Sequence, residues 1–459
     1  MQVLDTILDA VGGTPLVRLH RITASLRPTV LAKVESLNPG GSVKDRIGLR
    51  MIEDAERRGV LKPGGTIVEP TSGNTGHALA ITAAIKGYRM IFVMADKQSP
   101  EKIALLRAYG AEVVVCPTAV PRESPESYYS VAERLSREIP GAYQPNQYFN
   151  PENPRAHYET TGPEIWEQTD GRVDAVVGGL GTGGTITGVA RFLKERKPSV
   201  QIIGADPEGS LYSGDTVRPY KVEGIGEDFI PGTIDLGLID RIIRVSDRDS
   251  FLLARRITRE EGILVGGSAG TAMKAALEAA AGMAEGELLV VILPDTGRNN
   301  LSKIYSDEWM RQNGFLERFP RQRVQDVVTM RGREIPELIT VASNEKVGRA
   351  IDRLQEYGIS QMPVVQPDGR GAEVSLVGSI QERTLLDRVY RDPGLIETEV
   401  GAAMDGPFPT INAGAHIDEA FNTLLSGATA VVVVDERKPV GIITRLDLLE
   451  FMAHARSSP

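Results

Sequence analysis

Short apolar runs alternate with longer amphipathic stretches from the N-terminus to about Met310. Runs at 66–69 and 90–94 predict buried β-strands, and the helical spacing of apolar residues over 75–86 predicts a helix between them. Strands separated by helices form parallel sheets whose faces the helices cover, so we expect an α/β fold. The same patterns predict another helix at 100–108 and further buried strands at 111–116, 173–178, 201–206 and 288–293.

The pattern changes near Phe315, because the polar, proline-containing stretch 317–323 has no periodicity and predicts a linker. We therefore expect a first domain over 1–316 and a second over 324–456. The second domain contains a weak internal repeat, in which Gly378 and Gly441 occupy matching places. Its copies, 324–390 and 398–456, each predict the order helix, strand, strand, helix, and the pair is expected to share one core.

The composition is that of an ordinary globular protein. The chain has 459 residues, 41% of them hydrophobic, and a formal net charge of −9, which argues against nucleic-acid or anionic-membrane partners. No stretch approaches the roughly 20 apolar residues that span a bilayer. The single cysteine, Cys116, favours a reducing, cytoplasmic location, and its apolar neighbours predict a buried side chain. The five histidines are not at metal-ligand spacing, so no metal site is expected.

Lys44 has an unusual position for a structural lysine. A turn rich in glycine precedes it, Ser42 is predicted to cap a helix, and Val43, Ile47 and Met51 would form the apolar stripe of that helix. The first turn of a helix disfavours an ammonium group. Burial and nearby positive potential lower the pKa of a lysine, which suits an amine that must be neutral to react with an aldehyde. A solvated surface lysine is the alternative that this segment leaves open.

Two further turns connect a predicted strand to a predicted helix, where free backbone N–H groups bind anions. The first, 69–76, adds the hydroxyls of Thr71, Ser72 and Thr75 and suits the carboxylate of an amino acid, although a simple capped turn would look similar. The second, 176–185, is dense in glycine amides and threonine hydroxyls, which suits a phosphate monoester.

The second turn also permits another interpretation. Gly179, Gly181 and Gly184 match the pattern G-x-G-x-x-G, and Asp206 ends the next predicted strand, as in dinucleotide-binding folds. An NAD-dependent dehydrogenase is therefore an alternative from this segment alone. The threonines of the turn fit a terminal phosphate better than a bridging pyrophosphate, and a nicotinamide enzyme gives no reason for the loop around Lys44.

Taken together, these segments resemble the fold-type II pyridoxal-phosphate (PLP) enzymes, and among them the cystathionine β-synthases of the bacterial type. The resemblance covers nearly the whole chain, and the ordered series of motifs makes it specific. The segments 206–210 and 223–229 favour cystathionine β-synthases over the related cysteine synthases. The matching segments are 12–17, 38–45, 71–76, 181–185, 206–210, 222–226 and 266–270.

The resemblance implies roles for individual residues. Lys44 would bond covalently to PLP, Asn74 would hydrogen-bond the ring hydroxyl of the cofactor, and Ser268 would meet its pyridine nitrogen. The residues implied at the phosphate are Gly181, Thr182, Gly183, Gly184 and Thr185, and those at the substrate carboxylate are Thr71, Ser72, Thr75 and Gln147.

The C-terminal part resembles a tandem pair of CBS domains, also called a Bateman module. In such modules a Gly-x-x-Thr-x-x-Asp pattern presents a hydroxyl and a carboxylate to the ribose of an adenosyl ligand, and the second copy fits this pattern. The first copy has Gln381 and Thr384 at those places, so one good site is implied. Its expected contacts are Thr444 and Asp447 at the ribose and Ile359 and Met362 beside the base. The ligand would be S-adenosylmethionine or an adenine nucleotide; the alternative is a module that only packs or dimerises.

By this resemblance the chain would be a PLP-dependent lyase of transsulfuration and cysteine biosynthesis. It would condense L-serine with L-homocysteine to L-cystathionine, with side reactions that produce hydrogen sulfide, and an adenosyl ligand would regulate or stabilise it. A cysteine synthase that uses O-acetylserine and sulfide is an alternative. A non-catalytic adenosyl-sensing scaffold is another, against which the retained Lys44, Asn74 and Ser268 argue.

The resemblance also implies a homodimer or homotetramer. Animal members carry an N-terminal haem-binding segment that this sequence lacks, so no haem is expected. Animal members also have a tyrosine where this sequence has Glu227, so the resemblance implies no role for that residue.

Overall fold

A computed structural model describes residues 3–71, 73–96, 100–117, 120–121, 124–316, 322–330, 338–367, 374–436 and 438–455. The chain divides into two compact units, Met1–Phe315 and Leu316–Pro459. Most of the predicted linker, residues 317–321, lies outside the described residues, as does Ser72.

Two sheets form the framework of the first unit. Among the described residues, a six-stranded sheet has the order β1-β2-β9-β6-β7-β8, and a second sheet has the order β3-β4-β5. All neighbouring strands in both sheets are parallel except the pair β1 and β2, which is antiparallel. The strands are β1 (Leu16–Arg18), β2 (Thr29–Val34), β3 (Thr66–Glu69), β4 (Arg89–Ala95), β5 (Glu112–Cys116), β6 (Ala175–Gly179), β7 (Gln201–Pro207), β8 (Arg241–Val245) and β9 (Leu288–Leu293).

Helices follow most of these strands in the chain and cover the sheets. They are α1 (Lys44–Arg57), α2 (Asn74–Lys86), α3 (Pro100–Ala108), α4 (Tyr128–Glu138), α5 (Glu152–Glu159), α6 (Thr161–Gln168), α7 (Gly184–Arg196), α8 (Asp247–Arg256), α9 (Gly267–Ala281) and α10 (Asp307–Gln312). Short 3-10 turns occur at Ile7–Ala10, Glu35–Leu37, Leu236–Leu238 and Gly297–Asn300, and a π-helical turn at Ile257–Glu261.

The apolar pattern of the sequence corresponds to the core of this unit. The strands β3 and β9 are buried along their whole length, and both begin and end where the sequence predicts. Cys116 is buried, as predicted. The predicted α/β architecture, with parallel sheets covered by helices, is confirmed.

The second unit contains two copies of one motif. Three-stranded sheets have the orders β10-β11-β12 and β13-β14-β15 among the described residues, and in each the first two strands are parallel and the last two antiparallel. The strands are β10 (Val341–Ala342), β11 (Gln361–Pro367), β12 (Val374–Gln381), β13 (Thr410–Asn412), β14 (Ala430–Asp435) and β15 (Lys438–Thr444). The helices are α11 (Val324–Thr329), α12 (Val347–Glu356), α13 (Glu382–Arg391), α14 (Val400–Ala403), α15 (Ile417–Leu425) and α16 (Arg445–Ala455), with a 3-10 turn at Pro393–Glu397.

The two copies agree in detail. Gly378 pairs with Val364 and Gly441 with Val433, and each pairing is followed by a register shift at the same place. Each copy contains the predicted order helix, strand, strand, helix, preceded by a short strand, β10 or β13, that the sequence did not predict. The expectation of one shared core is wrong in part: each copy has its own apolar cluster, and a smaller cluster around Phe408 joins Leu376 of the first copy to strands of the second. The start of the first copy at 324 is also wrong, because Val324 and Val327 of α11 pack in the cluster of the second copy.

None of the helices among the described residues is long and apolar enough to cross a membrane. No group of three or more histidine, cysteine, aspartate or glutamate side chains in this part of the chain could hold a metal ion.

Candidate active site

A cavity of about 380 Å³ lies in the first unit where several strands end. Its walls include Met94 near the end of β4, Gly179 at the end of β6, and Asp295 just after β9. Ligands of open parallel sheets bind outside the carboxyl ends of the strands, and the two anion-binding turns begin at such ends. The cavity is therefore the candidate active site.

The structure brings most of the sequence-predicted residues to this cavity. Ser72 lies outside the described residues, and Gly184 begins α7 without lining the cavity. The predicted residues that do line it are Lys44, Thr71, Asn74, Thr75, Gln147, Gly181, Thr182, Gly183, Thr185 and Ser268.

Lys44 is the first residue of α1, and its amide nitrogen is 3.3 Å from Ser42 Oγ. The predicted cap is thus displaced by one residue, because Val43, with helical backbone angles, occupies the position before the helix. Burial lowers the pKa of Lys44, and the neighbouring carboxyls of Asp295 and Glu227 act in the opposite direction. Less free energy is therefore needed to deprotonate this amine than to deprotonate a solvated lysine.

Buried ion pairs fix the start of α1. The Arg46 guanidinium donates to Glu35 Oε2 at 2.8 Å and to Glu164 Oε1 at 2.6 Å, and the Arg46 and Glu35 side chains are almost wholly buried. Lys33, also buried, donates to Glu164 Oε2 at 2.6 Å. Since Arg46 is two residues beyond Lys44, this network limits the movement of the segment that carries the amine.

The turn before α2 forms one wall of the cavity. Gly73 precedes the helix and Asn74 begins it, so the free N–H groups of its first turn lie beside Thr71 and Thr75. The Thr75 hydroxyl donates to Gln147 Oε1 at 2.6 Å. The amide oxygen of Gln147 is thereby occupied, and its amide nitrogen is the atom that can donate to a carboxylate.

The turn before α7 is shaped by its glycines. Gly183 has a left-handed backbone (φ +78°), and a Cβ atom there would lie 2.3 Å from Ile234 Cβ. A Cβ on Gly181 would lie 2.8 Å from the carbonyl oxygen of Gly224. Side chains at these positions would displace the turn, whose amides and hydroxyls can then no longer surround an anion.

Asp295 is a site residue that the sequence analysis missed. Its Oδ2 accepts a 2.9 Å hydrogen bond from Asn74 Nδ2, while its buried Oδ1 has no partner among the described residues. Burial raises the pKa of Asp295 to about 6, although the Asn74 hydrogen bond and the Lys44 charge oppose the shift. Asn74 and Asp295 are 221 residues apart, so no local motif could have predicted their contact.

Ser268 and Glu227 also line the cavity. Ser268, the second residue of α9, is buried, and its hydroxyl has no hydrogen-bond partner in the part of the chain that the structure describes. The sequence implied no role for Glu227. Burial raises its pKa to about 7, the nearby Asp228 raises it further, and Lys44 lowers it.

These residues fit PLP. A buried primary amine with a lowered pKa, the hydroxyl of the buried Ser268 and a glycine-walled turn with two threonine hydroxyls share one cavity. They match the aldehyde, the ring nitrogen and the phosphate of this cofactor.

The dinucleotide alternative fails at Asp206. The side chain is wholly buried, Oδ2 accepts from the Ser213 amide at 2.9 Å, and the residue does not line the cavity. A carboxylate in that position cannot reach a ribose in the cavity.

The second unit has a separate candidate site. Asp447 Oδ2 accepts from both the amide and the hydroxyl of Thr444, each at 2.6 Å. In the first copy, Thr384 instead donates to Asp405 Oδ2 at 2.6 Å. Met362 has no exposed surface and packs in the core of the first copy, so in this conformation it cannot contact the base as expected. Ile359 is partly buried in the same cluster and keeps some exposed surface.

Comparison with known proteins agrees with both units. The family model for pyridoxal-phosphate-dependent enzymes matches residues 7–295, and the CBS-domain model matches residues 332–391 and 399–454. A crystal structure of a hydrogen sulfide-producing enzyme from Fusobacterium nucleatum has a TM-score of 0.62 and 37% sequence identity. It covers 65% of this chain and 98% of its own.

Curated relatives match over nearly the full length. Cystathionine β-synthase from Dictyostelium discoideum is 40% identical over 98% of this chain and 92% of its own. Cystathionine β-synthase from Rattus norvegicus is 47% identical over 98% of this chain and 86% of its own. The chain therefore belongs to the cystathionine β-synthase family of pyridoxal-phosphate-dependent enzymes, with two CBS domains in its C-terminal part.

Proposed function

We propose that this enzyme condenses L-serine with L-homocysteine to L-cystathionine, with PLP bonded to Lys44. The observation that carries the assignment of Lys44 is its position: an amine with a lowered pKa at the start of α1, in the same cavity as both anion-binding turns. Family membership supports the reaction, since relatives that match over almost the whole chain are named cystathionine β-synthases.

In the proposed reaction, Lys44, Ser268 and Asn74 each have a separate role. PLP, when bound, supplies the electron sink that makes the Cα proton of serine acidic and the β-hydroxyl a leaving group. Lys44 Nζ, in its neutral form, takes the proton from Cα and later returns it there. The Ser268 hydroxyl would give the pyridine nitrogen a neutral partner, and the Asn74 amide would donate to the ring hydroxyl.

Two anion-binding sites, one for the substrate carboxylate and one for the cofactor phosphate, would position serine relative to PLP. The start of α2, with Thr71, Ser72, Thr75 and the Gln147 amide nitrogen, would bind the carboxylate of serine. The turn 181–185 before α7 would bind the phosphate, with Gly184 contributing backbone only. Both sites use N–H groups at the start of a helix, so the relative positions of α2 and α7 would determine how serine is oriented to the cofactor.

Visible absorption spectra of the purified enzyme, recorded before and after serine is added, test the cofactor assignment. Borohydride reduction and peptide mapping should then label Lys44, and Lys44→Ala should abolish turnover while Lys62→Ala, which changes an exposed lysine, should not. A label on another lysine would show that the assignment of Lys44 is wrong.

A cysteine synthase activity is the second candidate. Rates with serine and homocysteine should exceed those with O-acetylserine and sulfide; the reverse order would favour the second candidate. The similarity to a protein named for hydrogen sulfide production supports side reactions that release hydrogen sulfide, which an assay with cysteine and homocysteine measures.

We also infer that the C-terminal CBS domains bind an adenosyl ligand at the second copy, through Thr444 and Asp447. The hydroxyl and carboxylate already lie 2.6 Å apart at the start of α16, which supports joint recognition of a ribose. Calorimetry with S-adenosylmethionine, AMP and ATP identifies the ligand. Activity and thermal unfolding, each measured with and without it, separate activation from stabilisation. No heat with any of the three compounds would favour a module that only packs or dimerises.

A further inference from the structure

A buried histidine behind the phosphate-binding turn has no part in the function proposed above. His157 lies on α5 and is 1% exposed. Its Nδ1 is 2.9 Å from Thr161 Oγ1, and its Nε2 is 3.1 Å from Thr185 Oγ1. Thr185 lines the cavity, so the buried imidazole contacts the hydroxyl of a residue in the cavity wall.

The same helix makes a matching contact one turn earlier. Asn153 Nδ2 donates to Thr182 Oγ1 at 3.0 Å, and residues four apart lie on one face of a helix. An amide nitrogen can only donate, so the Thr182 hydroxyl is the acceptor in this bond and keeps its own hydrogen for another partner. Thr182 also lines the cavity.

Close packing of α5 against α7 makes both contacts possible. A Cβ on Gly184 would lie 1.9 Å from Asn153 Oδ1, and one on Gly188 would lie 2.7 Å from His157 Cβ. Glycines at these two positions of α7 therefore admit the two side chains of α5. This gives Gly184, which does not line the cavity, a role in supporting the turn.

The direction of the hydrogen bond between His157 and Thr185 depends on the charge state of the ring and on which nitrogen carries the hydrogen. Burial lowers the pKa of His157 well below its usual value, and the charges of Arg46 and Lys44 lower it further. The ring is neutral and carries one N–H. If Nδ1 carried it, Thr185 would have to donate to Nε2 and would lose its hydrogen for the cavity. If Nε2 carries it, Thr185 accepts and its hydroxyl hydrogen remains available.

We propose that His157 is a positioning residue for the cofactor phosphate: its Nε2–H donates to Thr185 Oγ1, so that the Thr185 hydroxyl donates to a phosphate oxygen. Asn153 Nδ2 likewise donates to Thr182 Oγ1, so that the Thr182 hydroxyl can also donate to the phosphate. The Thr161 hydroxyl donates to His157 Nδ1 and thereby keeps the ring hydrogen on Nε2. A phosphate dianion only accepts hydrogen bonds, which is why both threonines must be turned into donors. The proposal rests on the proposed function, because the phosphate is that of PLP.

The hydroxyl donors of Thr182 and Thr185 matter because few positive charges line the cavity. Among the described residues that line the cavity, Lys44 is the only lysine or arginine, and it is proposed to bond to the aldehyde end of the cofactor. The phosphate would then be held by backbone N–H groups and hydroxyls without a cationic side chain. A lost hydroxyl donor should therefore appear directly in the affinity for PLP.

Two polar substitutions of similar size test the proposal. The terminal amide of His157→Gln can occupy the place of Nε2 and donate to Thr185, whereas that of His157→Asn reaches only the place of Nδ1. Apoenzyme titrated with PLP should bind within about threefold of wild type for the glutamine variant and about tenfold more weakly for the asparagine variant. The phosphorus NMR chemical shift of the bound phosphate should move in the asparagine variant alone.

Controls separate this inference from the proposed function. His20→Gln changes an exposed histidine and should leave both readouts unchanged, and thermal unfolding of each apoenzyme shows that the variants fold. If His157→Asn and His157→Gln bind PLP equally and have the same phosphorus shift, the positioning role is wrong. If wild-type enzyme does not bind PLP, or borohydride labels a residue other than Lys44, the proposed function itself fails.

Discussion

Asn74 donates a hydrogen bond from Nδ2 to Asp295 Oδ2 over 2.9 Å, and both residues line the cavity that contains Lys44. A carboxylate accepts only, so this bond fixes which end of the Asn74 amide is the nitrogen. The second hydrogen of that nitrogen is then available for the ring hydroxyl of PLP. Asp295 also places a carboxyl near Lys44, where its charge raises the pKa of the amine.

Asp295→Asn should therefore lower the pKa of Lys44 further, because it removes a negative charge beside a buried amine. We expect the pH midpoint for attachment of PLP to the apoenzyme to fall by on the order of one unit. The difference should appear mainly above pH 6, since the pKa of Asp295 is about 6 and the carboxyl is protonated below it. Stopped-flow absorbance between pH 6 and 10 measures the midpoint, and Asp170→Asn, at an exposed site, is the control. Equal midpoints in the two variants would contradict the electrostatic role.

Glu227→Gln should change how the stability of the holoenzyme depends on pH. The pKa of Glu227 is raised to about 7 by burial, so the folded state binds more protons than the unfolded state between about pH 4.5 and pH 7. Stability contributed by this group is thus present at low pH and is lost as pH rises through 7. Glutamine does not ionise, so the variant should gain free energy of unfolding relative to wild type at pH 8 and show no such gain at pH 5.

Urea unfolding at pH 5 and pH 8 measures this difference. Burial also raises the pKa of Asp45 to about 7. Because Asp45 is present in both proteins, its contribution to the pH dependence of the free energy of unfolding cancels in the comparison. A constant difference between variant and wild type at the two pH values would show that Glu227 is ionised throughout.

Gly183→Ala should be much more harmful than Gly59→Ala. Both glycines have left-handed backbones, with φ +78° and φ +72°, but a Cβ on Gly59 would meet nothing within 4 Å. Gly59→Ala should cost about 1 kcal/mol of backbone strain. The clash with Ile234 should add about 1–3 kcal/mol for Gly183→Ala and displace the turn, so that PLP is bound poorly.

Thermal unfolding of both apoenzymes and PLP titration test this pair. Equal loss of stability in the two variants would show that strain alone matters, and normal PLP affinity in Gly183→Ala would show that the turn tolerates a side chain.

Asp447→Asn should weaken adenosyl binding by about tenfold or more, because a charged acceptor for a ribose hydroxyl is lost. Thr384→Ala is the matched control: it removes a threonine hydroxyl that contacts Asp405 at the corresponding place in the first copy. Calorimetry should show unchanged affinity for the control. Equal loss of affinity in both variants would mean that the ligand contacts both copies.

The sequence predicted the elements whose apolar runs are continuous, such as β3 and β9, because strands buried on both faces carry few polar residues. It missed β2, in which the fully buried Lys33 interrupts the apolar pattern; its ammonium is satisfied by Thr14 O and Glu164, which no local rule anticipates. It also missed β8, whose exposed Arg241 makes the run look like surface.

In the candidate site, too, some residues could be predicted from the sequence and others could not. The turns that contain Lys44, Asn74 and Thr185 could be predicted because their glycines and hydroxyls are contiguous in sequence. Asp295 and His157 could not be predicted, since each contacts a partner that only the tertiary fold brings near.

Asn153 has a consequence for any redesign of substrate choice. The two hydrogens of its amide nitrogen hold the Gln147 carbonyl oxygen at 2.8 Å and Thr182 Oγ1 at 3.0 Å. One side chain thus links the backbone of the proposed substrate site to the turn proposed to bind the phosphate. A substitution that moves the Gln147 backbone to admit a bulkier amino acid would therefore also displace Asn153 and weaken its contact with Thr182. Variants designed for larger substrates should keep the Gln147 backbone in its present position.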